Sequence, residues 1–263
     1  MKVKLVVFFL SVSSVFFSQE VKTAVFGDGT EVSYQMLSNN AKDIRKLNVW
    51  LFDLNTRSVF SAGTSIAYSM PDIFLSKFHI GHGLHGLGRV SLENTIFLKT
   101  FEKTRNYGIT LKTIKNGDFK TKFKVREPLV VRHQLGARIG YLRGDFRGDL
   151  YQSPDEGLEM GNELSIGFSY VNTKFYRVKN LSFGKPRTGS KMGRTSYYAE
   201  LLYYHNVLSE FGKVDNRIGY RIALDGQIGG RFGMSYTFGF EKPPMKDSNF
   251  DVFFGFGMYL AFL

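Results

Sequence analysis

Residues 217–240 read RIGYRIALDGQIGGRFGMSYTFGF. Every even position is apolar, aromatic or glycine: Ile218, Tyr220, Ile222, Leu224, Gly226, Ile228, Gly230, Phe232, Met234, Tyr236, Phe238 and Phe240. The odd positions are Arg, Gly, Ala, Asp, Gln, Ser and Thr. A strand sends successive side chains to opposite faces, so this segment carries one oily face and one small, polar face. A sheet in water needs a second protein layer over such a face. A closed barrel in lipid needs none.

The same alternation recurs from Leu47 onward. Phe60, Ala62, Thr64, Ile66 and Tyr68 oppose Ser61, Gly63, Ser65, Ala67 and Ser69. Val90, Leu92, Ile96 and Leu98 oppose Ser91, Glu93, Thr95 and Lys99, with Asn94 and Phe97 breaking the pattern. Val131, Leu135, Ala137, Ile139 and Tyr141 oppose Arg132, Gln134, Gly136, Arg138 and Gly140. Leu164, Ile166, Phe168 and Tyr170 oppose Glu163, Ser165, Gly167 and Ser169, and Phe250 to Phe262 closes the chain in the same manner. Each run has about the ~9–11 residues that cross a bilayer when tilted. A soluble sandwich alternates as well. Two features favour lipid: a polar face of Gly and Ser interspersed with Arg and Glu, and an apolar face that stays aromatic almost to the last residue.

Composition agrees with strands. Of 263 residues 43% are hydrophobic, with 26 Phe, 14 Tyr, 28 Gly and only 6 Pro. The start has the form of an export signal: Lys2 and Lys4, an apolar run from Leu5 to Phe17, and the small residue Ser18. That run is shorter than the ~20 residues of a spanning helix. No cysteine is present, which removes disulfides, thiolate metal sites and a lipoprotein anchor. The formal charge of +12 falls to +10 without Lys2 and Lys4. For an exported chain this points to phosphate-bearing lipopolysaccharide or acidic polymers, not nucleic acid, for which there is no motif.

With the export signal, the repeated dyads and the aromatic terminal strand Phe250–Leu263 in view, residues 46–263 resemble the outer-membrane β-barrel proteins of Gram-negative bacteria. In that family the last strand commonly ends in an aromatic residue. Here Leu263 is last and Phe262 penultimate. The resemblance implies a closed antiparallel transmembrane barrel, even-stranded, with both ends periplasmic, and an outer-membrane location; it carries no function by itself. The expected division is a signal peptide at 1–18, an N-terminal periplasmic segment at 19–45 and the barrel at 46–263. Within 19–45 a hairpin is expected over Val21–Phe26 and Thr30–Gln35, turning at Asp28-Gly29.

Parity gives about twelve strands (eight to twelve fit the pattern): 47–54, 59–69, 73–80, 88–99, 106–114, 119–126, 131–142, 162–171, 196–206, 217–225, 230–240 and 250–262. This puts the long Arg143–Gly161 loop outside, the turn pair Asn116-Gly117 at an outer tip and the tight Asp225–Gly229 turn inside. It leaves 172–195 as an oversized connection on the side that should have short ones. If 106–126 instead forms a protruding hairpin, the count is ten. Pro128 belongs at a turn or an edge.

Three groups of residues suggest chemistry. His79, His82 and His85 lie in a glycine-rich stretch and suggest metal ligation, but a spacing of three sends strand neighbours to opposite faces. A basic ladder runs through Lys120, Lys122, Lys124 and Arg126 to Arg132 and Arg138; with Arg221 and Arg231, the arginines Arg132 and Arg138 form an expected lumen stripe. The ladder either grips phosphate or is the solvated face of a hairpin, with the lumen arginines paired to Glu163, Glu200 and Asp225 as the further alternative. His133, His205, Ser196, Ser209 and Glu200 are the residues available for a serine hydrolase acting on lipid A or phospholipid acyl chains. The close His-x-Ser arrangement of lipid A deacylase barrels is absent at all five histidines. No catalytic residue and no cofactor is assigned.

The expectation is therefore an all-β outer-membrane barrel without enzymatic activity, either a membrane-embedded subunit of an envelope assembly or a narrow, porin-like pore for small solutes. Its surroundings would be outer-membrane lipid, lipopolysaccharide and other envelope proteins. The alternatives are a barrel hydrolase and a secreted soluble β-sandwich.

Overall fold

A computed structural model describes residues 20–41, 47–56, 61–70, 72–82, 88–116, 118–146, 159–182, 186–205, 218–242 and 251–262. The expected signal peptide, His85 and Ser209 lie outside the described residues. Twelve strands are present: β1 Val21–Val25, β2 Glu31–Ser38, β3 Leu47–Asn55, β4 Ser61–Met70, β5 Phe74–His82, β6 Gly88–Asn116, β7 Phe119–Phe146, β8 Glu159–Asn180, β9 Arg187–His205, β10 Ile218–Gly229, β11 Phe232–Glu241 and β12 Asp251–Phe262.

Ten of them, β3 to β12, form a closed antiparallel barrel in which each strand pairs with its sequence neighbours and β12 returns to β3. Both ends of the barrel chain, Leu47 and Phe262, are paired to each other at one rim, here called the terminal end. Connections at the terminal end are two to six residues long, and those at the far end five to twelve.

Two of the twelve barrel strands expected from parity are absent as separate elements. Residues 106–114 and 119–126 belong to long β6 and β7, which stay paired from Val90↔Arg143 to Asn116↔Phe119. Their barrel portions end where β5 stops at Ile96 and β8 stops at Arg132↔Thr173, so the remainder projects from the terminal end as a hairpin. The oversized connection over 172–195 also disappears. Strands β8 and β9 continue as a second projecting hairpin down to Asn180↔Arg187. The β10–β11 turn sits at Gly230-Arg231, not at Asp225–Gly229, because the ladder persists to Gly229↔Gly233. Gly226 can remain in the strand because the Tyr236 ring lies over it; an added Cβ would be 2.0 Å from that ring.

The barrel has inverted polarity. On the outside Ile166, Phe168 and Leu201 are 63%, 73% and 62% exposed. On the inside Glu163, Glu200 and Arg221 are 3%, 4% and 2% exposed. Apolar clusters occupy both ends of the lumen. Trp50, Ala67, Met192, Phe175 and Tyr259 pack at the terminal end, and Leu142, Leu202 and Tyr204 at the far end.

The projecting hairpins carry a core of their own. The expected N-terminal hairpin forms as β1 and β2, with the Asp28 carboxylate accepting from the Thr30 amide at 3.0 Å and Gly29 at φ 78°. Strand β2 adds to β8 at Arg177–Asn180, in the space β7 has vacated. The strand phase of β6 and β7 that faces outward in the barrel now turns Ile109, Val125 and Leu129 onto Tyr34 and Val178. The other phase leaves Lys120, Lys122, Lys124 and Arg126 exposed. Pro128 costs no ladder bond: Val130, two residues on, donates away from β6 to the Asn39 carbonyl, so the Pro128 nitrogen faces that same edge. Glu127 fastens the layers, accepting from the Tyr34 hydroxyl at 2.5 Å and pairing with Lys22 at 2.9 Å.

Two outcomes are expected. Leu129→Ala removes a 1% exposed side chain and should loosen the projecting layer by about 2–5 kcal/mol, read as protease sensitivity of β1–β2 with the barrel intact. Burial, and then the bond to Glu127, raise the Tyr34 phenol above its ordinary pKa. The folded layer thus holds the neutral form, whereas the unfolded chain ionises at about pH 10. Stability of the layer should be complete below that pH and fall as pH rises above it. Tyr34→Phe should reduce the alkaline loss, measured as proteolysis of β1–β2 against pH.

Candidate functional site: the charged lumen

One register row accounts for the lumen's chemistry. Arg138 pairs across to Gly167, Gly167 to Glu200, Glu200 to Arg221, and Arg221 to Glu241. Four of these five strands thereby place charges of alternating sign on the inward face, with Gly167 between Arg138 and Glu200. Gly167 leaves room for its neighbours; a Cβ there would lie 1.9 Å from the Ala199 carbonyl oxygen.

The Arg221 guanidinium donates to its row neighbours Glu200 at 2.9 Å and Glu241 at 3.0 Å, and to Glu163, outside the row, at 2.8 Å. Arg138 donates to Glu200 and Glu93, each at 2.5 Å, and stacks over the Tyr198 ring at 4.0 Å. Glu200 therefore bridges two arginines. Each charge of this cluster has an opposite charge at hydrogen-bond distance, the condition for keeping ions out of water.

A second network lies toward the far end. Asp53 pairs with Lys77 at 2.6 Å, and Lys77 sits 4.9 Å over the Trp50 ring. His79 Nδ1 lies 2.9 Å from the Ser65 hydroxyl and 3.5 Å from Asp53, while His79 Nε2 lies 3.1 Å from the Ser61 hydroxyl. The order Ser61–His79–Asp53 is that of a nucleophile, base and orienting acid. Here, however, Ser65 bonds to Asp53 and to His79 Nδ1, Lys77 neutralises the acid, and Ser61 is 0% exposed.

The residues anticipated from sequence fall in several places. Arg132, Arg138 and Arg221 point inward and are buried, whereas Arg231 is exposed in the β10–β11 turn. Arg132 pairs with Asp72 and Glu102 at the terminal rim. Glu163 and Glu200 are the partners named from sequence; Glu93 and Glu241 are additional. His79 is buried and His82 exposed, on opposite faces, and among the described residues no three His, Asp or Glu gather as a metal site. His133 bonds to Tyr170 at 2.5 Å and stacks on Phe101, with no serine beside it among its described bonds. His205 stacks on Tyr203, which is 40% exposed. Register is what the sequence lacked: Glu241 and Arg221 are twenty residues apart and meet only through the ladder.

Comparison with family models, curated proteins and solved structures finds no match for this chain.

Glu200→Gln leaves Arg138 and Arg221 each short of a buried partner. A loss of about 3–5 kcal/mol is expected, seen as a lower temperature for conversion of the folded to the unfolded band on a gel.

Proposed function

We propose that this chain is exported and inserted in an outer membrane as a non-enzymatic barrel, serving as the membrane-embedded subunit of an envelope assembly. The carrying observation is the inverted polarity of a closed barrel: large aliphatic and aromatic side chains outside, paired charges inside. Closure satisfies every ladder, and hydrocarbon covers the exterior without a second protein layer. The shorter connections and the chain ends share one rim, the arrangement barrels of this kind have on the periplasmic side. The projecting layer would then stand in the periplasm, where its apolar side is already covered by β1–β2 and its lysines meet water.

Two features favour the subunit over the narrow pore. Apolar clusters occupy both ends of the lumen, and the cavity between them measures ≈ 70 Å³. That volume holds a few waters. The projecting layer, in turn, offers periplasmic surface for assembly with other envelope proteins.

A serine hydrolase is the second reading, and Ser61–His79–Asp53 is the geometry that favours it. It requires a substrate carbonyl to reach a hydroxyl that is now fully buried.

The protein extracted from outer membranes should migrate faster unheated than boiled, co-purify with envelope partners, and give no conductance steps in planar bilayers. Regular steps would favour the pore. Stoichiometric fluorophosphonate labelling, lost in Ser61→Ala, would favour the hydrolase.

A further inference from the structure

Arg194 stands apart from the other lumen arginines. It is 9% exposed and borders the lumen cavity. Among the described residues no carboxylate pairs with it; its one bond is from Nη2 to the Ser69 hydroxyl at a long 3.5 Å, and its Nη1 has no partner. A buried guanidinium without a counter-charge is costly, and a fold that keeps one has a strong reason to bind an anion.

The surroundings fit that role. The cross-strand neighbours of Arg194 are Thr173 and Gln227, and the Thr173 hydroxyl and the Gln227 side-chain oxygen are also buried without partners. Thr173 can turn its proton toward an anion, and Gln227 can present its amide N–H in the alternative orientation. Ser196 and Ser235 border the same cavity. Its carboxylates are already engaged: Asp53 by Lys77, Glu93 by Arg138, and Asp225 by interaction with Arg138. The lining carries three carboxylates and three cations, and Arg194 is the cation with no carboxylate bonded to it, so an anion seated at Arg194 meets an unpaired guanidinium with hydroxyl and amide donors beside it.

We propose that the lumen holds a small inorganic anion of chloride's size, bound by Arg194 with Thr173 and Gln227. The cavity of ≈ 70 Å³ accommodates such an ion with a little water and excludes an organic polyanion. The ion would give the Arg194 guanidinium the hydrogen-bonded partner that no carboxylate supplies, acting as a local structural counter-ion.

The test uses the full mature chain folded in detergent micelles, with unfolding temperature read in sodium chloride and in sodium gluconate at equal ionic strength and pH. Gluconate is too large for the cavity. The wild type should unfold at least about 3 °C higher in saturating chloride, and bromide should substitute. Arg194→Met should unfold at the same temperature in both salts. Should that variant fail to fold, Thr173→Val should raise the chloride concentration needed for half the shift severalfold. Equal unfolding temperatures of the wild type in the two salts would overturn the proposal, as would an undiminished chloride effect in Arg194→Met or, where that variant does not fold, in Thr173→Val.

Discussion

The ladder between β3 and β12, from Leu47↔Phe262 to Asn55↔Gly255, removes the two edges of the barrel sheet. Once those edges are joined, strand alternation becomes a division between inside and outside. Every second residue of ten strands faces a narrow lumen in which a lone charge is expensive. The row Arg138–Gly167–Glu200–Arg221–Glu241 meets that demand with neighbours supplied by register. Without closure these residues would lie on an open face with water as their partner.

The terminal end shows what the chain does when its apolar phase leaves the barrel. Along β7 the outward phase carries Leu135 and Ile139, both exposed, and farther down the same phase carries Val125 and Leu129, both buried. The change occurs where β8 ceases to pair and β1–β2 arrives. Protein covers the apolar phase on the projecting layer, and among the described residues none covers it on the barrel. Within one continuous strand, this contrast is what supports the proposed membrane insertion of the barrel.

Much of this was legible from alternation alone. The faces of β4, β10, β11 and β12, the polar lumen and the N-terminal hairpin follow from period two and turn chemistry. The break at Phe97 coincides with a real irregularity, a bulge that leaves Leu98 unpaired between Phe97 and Lys99, whereas Asn94 pairs in regular register with Ile139. The number of barrel strands was less legible because β6 and β7 stay β-competent throughout their length; nothing local marks where the neighbours stop. Asn116-Gly117 signals a hairpin but not whether its stem lies in the barrel wall or beyond it, and the β6–β7 hairpin projects from the terminal end, not from the opposite rim where parity set its tip. Side-chain partnerships were least legible. Ser61, Ser65, Asp53 and His79 meet across three strands, and Glu93 reaches Arg138 over 45 positions. Those meetings depend on register, which a polar face full of Gly and Ser does not fix.

The natural absence of cysteine permits a direct measurement of what covers the exterior. Single cysteines placed in turn along Phe232–Glu241 can carry nitroxide labels in protein reconstituted into lipid vesicles. Oxygen collects in hydrocarbon and a nickel chelate stays in water. Labels at Met234, Tyr236 and Phe238 should collide freely with oxygen and scarcely with the chelate, whereas those at Ser235 and Thr237 should be shielded from both. Even positions reached freely by the chelate, or shielded from both reagents as in a protein core, would contradict a lipid-facing barrel.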